Sequence, residues 1–277
     1  MPTLSSGPAN SPAPQPHQLR RVAESFGTDA ERYDRTRPTY PDAMIRRIIA
    51  TSPGRDVVDV GCGTGIAARL FQAAGCAVLG VEPDERMADW ARTHGTDIEI
   101  STFEDWDPAG RLFDTVVAGQ TWHWVDPVAG AAKAAQALRP GGRLAVFWNS
   151  GQPPGEVGQA FAAVYREMLP DLSIDTALTN PHDAYAAMAT KAADGLRETG
   201  AFDAVDLWRF DWEHTYTRDE WLDQVPTQGG FSLFPPDTQS RLLAGVAAAI
   251  DAAGGSFTMG YATLVTIATR TVTDRAA

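Results

Sequence analysis

Three glycines at alternate positions, Gly61, Gly63 and Gly65, follow directly on the short apolar run Val57-Val58-Asp59-Val60. Behind them Ile66, Leu70 and Phe71 fall at helical spacing, so the stretch reads as a buried strand, a tight turn and a helix. Glycine in such a turn permits positive φ and lets the backbone approach a ligand with no Cβ in the way. The helix that follows aims its free N–H groups, and the positive end of its dipole, at whatever the turn holds. The chemistry to expect here is the binding of a nucleotide-like molecule.

Spacing discriminates between cofactors. The dinucleotide fingerprint G-x-G-x-x-G needs its third glycine where the helix packs on the strand. Here that glycine comes one residue early, at Gly65, and the fingerprint position holds Ile66. Glu82 ends the next apolar run, Ala77–Val81, about 20 residues after the turn, where a carboxylate can accept from both ribose hydroxyls. That feature is shared by any ligand carrying the ribose. Further along lie Phe103-Glu104-Asp105-Trp106, then a fourth strand over 112–118 and the phrase Gln120-Thr121-Trp122-His123-Trp124. Leu138-Arg139-Pro140-Gly141-Gly142-Arg143-Leu144 stops a helix and leads into a fifth strand over 144–149.

These features, in this order over residues 57–149, resemble class I S-adenosylmethionine-dependent methyltransferases. The resemblance implies S-adenosylmethionine as cofactor and S-adenosylhomocysteine as product. It implies an α/β fold: a Rossmann-like, seven-stranded, mostly parallel sheet with an antiparallel C-terminal edge, helices on both faces, an N-terminal helical segment and a lid. It places Asp59, Gly61, Gly63, Glu82, Phe103, Glu104 and Gln120 at the cofactor, with the Phe103–Trp106 loop against the adenine edge. The run Phe26-x-x-x-Ala30-x-x-Tyr33-x-x-x-Arg37-Pro38-x-Tyr40-Pro41 and the phrase at 120–127 resemble a subgroup that includes trans-aconitate methyltransferase-like enzymes. There the N-terminal segment folds over the cofactor. Arg37 would clamp the cofactor's carboxylate, since guanidinium pairs with carboxylate bidentately, and Tyr33 would donate to the same group.

Aromatic residues fall where an acceptor pocket is expected, beyond the carboxyl ends of strands: Trp122, Trp124 and Trp148, with Trp221 and Phe231 in the lid. Such ring faces can meet a sulfonium or a cationic substrate. Trp90, Trp106, Trp208 and Trp212 read instead as core. Of the five histidines, His17 lies in the tail, His94 ends a helix, and His182 and His214 belong to surface or lid. His123 alone sits at the expected site mouth, where a neutral imidazole could take a proton from a hydroxyl or amine. The alternative use of His123 is positioning, and a carboxylate or carbon acceptor would need no base.

The chain of 277 residues can build a sizeable core. Its net charge of −12 argues against nucleic acid or an anionic membrane as main partner. No run of about 18 apolar residues predicts a membrane span. Cys62 and Cys76 offer neither a disulfide framework nor metal spacing, so no metal is expected and the cytoplasm is the expected compartment. Two lysines, Lys133 and Lys191, against 21 arginines point to a GC-rich bacterial source.

Residues 1–18 read as a disordered tail without an apolar signal core. Residues 19–277 read as one domain, divided into an N-terminal helical segment (19–52), a cofactor-binding core (53–149), a lid with the sixth strand (150–234) and a C-terminal helix and strand (235–277). The function expected is methyl transfer to the oxygen or carbon of a small acceptor: a carboxylic acid, a phenol, or a carbon centre in a prenylated or polyketide product. A dehydrogenase is disfavoured by Ile66. A non-catalytic binding or scaffold protein on the same fold stays open, as does the oligomeric state.

Overall fold

The computed structural model describes residue 23 and residues 25–169, 181–203 and 205–272. The expected tail, and residues 19–22 and 24 of the expected N-terminal helical segment, lie outside them.

The apolar run of the glycine motif forms β1 (Asp56–Val60), with all but its first residue buried. On each side it pairs in parallel with β2 (Ala77–Glu82) and β4 (Phe113–Gly119), and β2 pairs in parallel with β3 (Asp97–Ile100). β4 in turn pairs in parallel with β5 (Leu138–Gln152). With β6 (Asp206–Thr217) and β7 (Ser256–Thr269) the sheet runs β3-β2-β1-β4-β5-β7-β6, mostly parallel with an antiparallel C-terminal edge. The order reverses between β1 and β4, and ligands of open α/β sheets bind at such a point, outside the carboxyl ends of the strands.

β5 begins earlier than expected. Leu138 already pairs with Phe113, and after an irregularity Arg143 pairs with Thr115, so Arg139–Gly142 bulges within the ladder rather than preceding it. β6 ends where Thr217 caps the next helix.

Nine helices can be numbered among the described residues: α1 (Ala30–Thr36), α2 (Asp42–Thr51), α3 (Ile66–Ala73), α4 (Glu85–Thr93), α5 (Pro127–Ala137), α6 (Gly155–Met168), α7 (Pro181–Thr199), α8 (Arg218–Gln224) and α9 (Pro236–Ala252). Their ends have local causes. The Asp126 carboxylate accepts the N–H groups of Val128 and Ala129, and Pro127 takes the first position of α5. Thr217 and Glu220 form a reciprocal capping box on α8.

The chain divides into two compact units. One comprises Thr39–Asn149, Ala186–Phe210 and Thr263 onward. Its core holds Met44, Ile45 and Ile48 of α2, Val57 of β1, Phe71 of α3, Val117 of β4, Phe147 of β5 and Ile267 of β7. The other comprises the described chain up to Pro38, Ser150–Tyr185 and Asp211–Ala262. Its core is aromatic: Phe161 and Tyr165 of α6, Tyr216, Trp221, Phe257 and Tyr261, closed by Leu242, Val246 and Ile250 of α9.

Candidate active site

The glycine turn is built by its own backbone. Gly61, Gly63 and Gly65 have φ of +56°, +56° and +86°, a region open to glycine and costly to other residues. Gly61 and Cys62 donate to Val81 O at 2.7 and 3.3 Å, which ties the turn to β2. A Cβ on Gly61 would lie 2.1 Å from Thr121 Oγ1, so the loops after β1 and β4 meet at the switch point. A Cβ on Gly63 would have only Met87 Cε at 3.6 Å, so that glycine faces open space.

Glu82, at the tip of β2, is buried. Its Oε2 accepts Gly63 N–H at 2.8 Å and its Oε1 accepts Asp84 N–H at 3.0 Å. Each oxygen keeps a second lone pair for a ligand hydroxyl. Burial pushes the Glu82 carboxyl above the usual range, against the pull of those two N–H groups. Asp59, 1 % exposed in β1, is raised too, first by burial and then by repulsion from Glu82; the Ala68 N–H opposes the shift. Its Oδ2 has no hydrogen-bond partner among the described residues.

The loop after β4 carries strain. Gln120 has φ +56°, a conformation disfavoured for a residue with a Cβ. Its N–H is held by Phe147 O at 2.8 Å and its Nε2 donates to Asn149 O at 3.2 Å. The Gln120 Oε1 is buried with no partner among the described residues. Trp122, His123 and Trp124 then form a single 3-10 turn. His123 Nδ1 accepts the Trp148 Nε1–H at 3.3 Å, and the Trp124 ring lies 4.8 Å from the imidazole. Burial depresses the His123 pKa to about 3, although the side chain keeps part of its surface exposed. A base for work near neutral pH needs a pKa near that pH. The expectation of a proton-accepting His123 does not suit this geometry, because the nitrogen lone pair is already engaged.

Other expected site residues turn inward. Phe103 is buried, stacked with Trp106 at 6.0 Å and tilted against Trp122 at 6.1 Å. Glu104 Oε1 accepts Asp126 N–H at 2.8 Å, a loop-fixing bond at the start of α5. Trp122 and Trp148 are buried. Trp221 and Phe231 belong to the aromatic core of the second unit, Trp221 stacking on Phe161 at 6.0 Å. Four of the five expected acceptor aromatics are therefore core, and of that set Trp124 alone keeps partial exposure. Of the tryptophans read as core, Trp106 is buried, Trp208 and Trp212 pack on the cores as partly buried residues, and Trp90 is partly buried.

Arg37 and Tyr33 do come together. The guanidinium lies 4.7 Å from the Tyr33 ring centroid and 5.7 Å from that of Phe26, and Nη2 donates to Thr227 O. The Arg37 Nε is buried without a hydrogen-bond partner among the described residues. Sequence reasoning missed Asn149. It donates to Thr39 O at 2.9 Å and accepts from Thr263 Oγ1 at 2.6 Å, which ties down the last third of β5. Only its position at a strand end could have pointed to it. Among the described residues no group of three His, Cys, Asp or Glu side chains could hold a metal, and no helix is long and apolar enough to cross a membrane.

A family model described as a methyltransferase domain matches residues 33–245 of this chain. The chain belongs to this methyltransferase family. An uncharacterised methyltransferase of Mycobacterium tuberculosis is 35% identical to it over 133 residues, 47% of this chain and 54% of the relative. The demethylmenaquinone methyltransferase of Tropheryma whipplei is 30% identical over 164 residues, 55% of this chain and 68% of the relative. The match to the first of these relatives spans about half of that relative's length. Among solved structures, a protein described as a type II methyltransferase from Anaeromyxobacter dehalogenans superposes with a TM-score of 0.61. The likeness covers 83% of this chain and 97% of that one at 22% identity. It shows that this methyltransferase has the family's Rossmann-like fold.

Proposed function

We propose that this methyltransferase uses S-adenosylmethionine to methylate an oxygen or carbon of a small organic acceptor, and that it works in a bacterial cytoplasm. The observation that carries the reading is the joined glycine turn and Glu82 carboxylate at the switch point of the sheet. The residues fit the cofactor. Glu82 would take the ribose hydroxyls on its remaining lone pairs. Gly63 leaves room for the ligand where a side chain would stand. Gln120 Oε1 is a buried acceptor suited to a donor such as an ammonium. The Phe103–Trp106 loop would offer its backbone rather than the buried Phe103 ring to the adenine.

When bound, S-adenosylmethionine supplies a methyl group on a sulfonium for in-line displacement. The chain's own task is to hold the acceptor in line and exclude water, and such orientation is worth roughly 7–11 kcal/mol in favourable cases. Relatives named for demethylmenaquinone methylation and ubiquinone biosynthesis support a small acceptor. The motif at residues 26–41 supports the trans-aconitate methyltransferase-like subgroup.

The test is a metabolite screen with isotopically labelled S-adenosylmethionine, read by mass spectrometry. A metabolite that gains the labelled methyl only with active protein is the expected result. Binding of the cofactor with no methyl transferred to any metabolite would favour a non-catalytic role.

A further inference from the structure

We propose that Trp148 is a positioning residue that locks His123 in the tautomer with its proton on Nε2. On the methyltransferase reading above, His123 then meets the acceptor as a hydrogen-bond donor to an oxygen. The indole N–H of Trp148 can only donate. Trp148 is fully buried within β5, so its N–H needs a partner, and His123 Nδ1 is the one it has. A nitrogen that accepts a hydrogen bond carries no proton. The neutral ring therefore bears its proton on Nε2, and the other tautomer would set N–H against N–H. The imidazolium is opposed for the same reason.

The backbone that carries the ring is held, and the Trp124 ring lies 4.8 Å from the imidazole. Trp124 N–H donates to Thr121 O at 2.7 Å and Val125 N–H to Trp122 O at 3.2 Å, which fixes the backbone on both sides of His123. Among the described residues nothing accepts from Nε2. An Nε2–H held in this way is a ready donor to an acceptor oxygen, and it cannot remove the acceptor's proton. The substrate class that matches is one whose oxygen arrives already ionised, a carboxylate being the simplest.

The experiment is nitrogen NMR of the full chain labelled in its histidine rings, with S-adenosylhomocysteine added and the His123 signals assigned by their loss in His123→Gln. The expected wild-type spectrum shows a pyridine-like Nδ1 and a pyrrole-like Nε2 for His123. A pyrrole-like Nδ1 would overturn the proposal without any further variant. Trp148→Phe removes the donor and keeps an aromatic ring; its spectrum should show mixed tautomers, and unchanged signals would equally overturn the lock. With the metabolite identified by the labelled-methyl screen, His123→Ala should lower turnover about 10²-fold, as loss of a single positioned donor does. His123→Gln still offers an N–H and should stay within about tenfold of wild type. Equal losses in the two variants would show that donation is not the role. If the screen yields no methylated metabolite, the catalytic reading fails, and with it the donor's task, while the spectra still decide the tautomer lock.

Discussion

Gly63 donates its backbone N–H to Glu82 Oε2 at 2.8 Å, so the turn that follows β1 and the acid that ends β2 form one hydrogen-bonded piece. Glu82 thus shapes the turn as well as offering lone pairs to a ribose. Glu82→Ala should weaken S-adenosylmethionine and S-adenosylhomocysteine alike, by roughly 1.5–3 kcal/mol, as for hydrogen bonds to a charged acceptor. Titration calorimetry reads both constants. An unchanged dissociation constant would remove Glu82 from the site.

Gly61 and Gly63 share the same φ yet should fail differently. A methyl on Gly61 runs into the Thr121 side chain, with the Oγ1 2.1 Å away, so Gly61→Ala should lower the melting temperature sharply. Adding Thr121→Gly should restore part of it. On Gly63 the methyl meets nothing closer than 3.6 Å, so Gly63→Ala carries only the backbone strain of a positive φ, about 1–2 kcal/mol. Gly63→Val should lose cofactor binding while a folded fraction remains. If the two alanine variants melt alike and the Thr121 change gives no rescue, the contact with Thr121 does not govern the turn.

Arg37 stacks on Tyr33 and donates to Thr227 O, yet keeps a buried Nε without a partner. If that N–H serves the cofactor's carboxylate, Arg37→Ala should weaken S-adenosylmethionine more than methylthioadenosine, which lacks the amino acid part. Equal losses would show that Arg37 acts only by holding its own segment together.

The sequence speaks most clearly where local rules coincide. The apolar run into alternate glycines carries its own signal, and β1 and the turn after it lie where that signal puts them. Tertiary partners leave no such trace. Glu104 reads as a site acid, but its oxygen is taken by the N–H of Asp126, 22 residues on. Trp122 follows a strand just as a pocket residue would, and periodicity cannot show that Phe103 covers it. The Trp148–His123 bond joins the interior of β5 to the turn after β4, 25 residues apart, and only the parallel register of β4 and β5 brings them together.

Asp59 and Glu82 make the ligand-free protein sensitive to base. Both carboxyls are raised by burial, and Asp59 further by Glu82, so the folded state holds protons that the unfolded chain has released above about pH 4. Stability from this source is present at low pH and declines as pH rises through the folded values. Asp59→Asn cannot ionise, so its melting temperature should decline less than wild type between about pH 5 and about pH 8. Parallel curves for the two proteins would mean that Asp59 is not held neutral.

His123 gives a slope of opposite sign at lower pH. Its folded pKa is depressed to about 3 by burial, while an unfolded histidine titrates near 6.5. Between those values the unfolded chain binds the proton and the folded ring refuses it. The contribution of His123 is therefore fully present above about pH 6.5 and is lost as pH falls towards 3. The largest slope one such group can give is about 1.4 kcal/mol per pH unit. Because the carboxyl pair pulls the other way in part of this range, the quantity to compare is the difference between wild type and His123→Gln in denaturant melts at a series of pH values. That difference should fall steadily below about pH 6 as the wild type loses its advantage. Trp148→Phe, which frees Nδ1 to take a proton, should show a shallower acid loss than wild type. If neither variant changes the slope, the imidazole is free to protonate in the folded protein, and the Trp148 N–H does not hold it neutral.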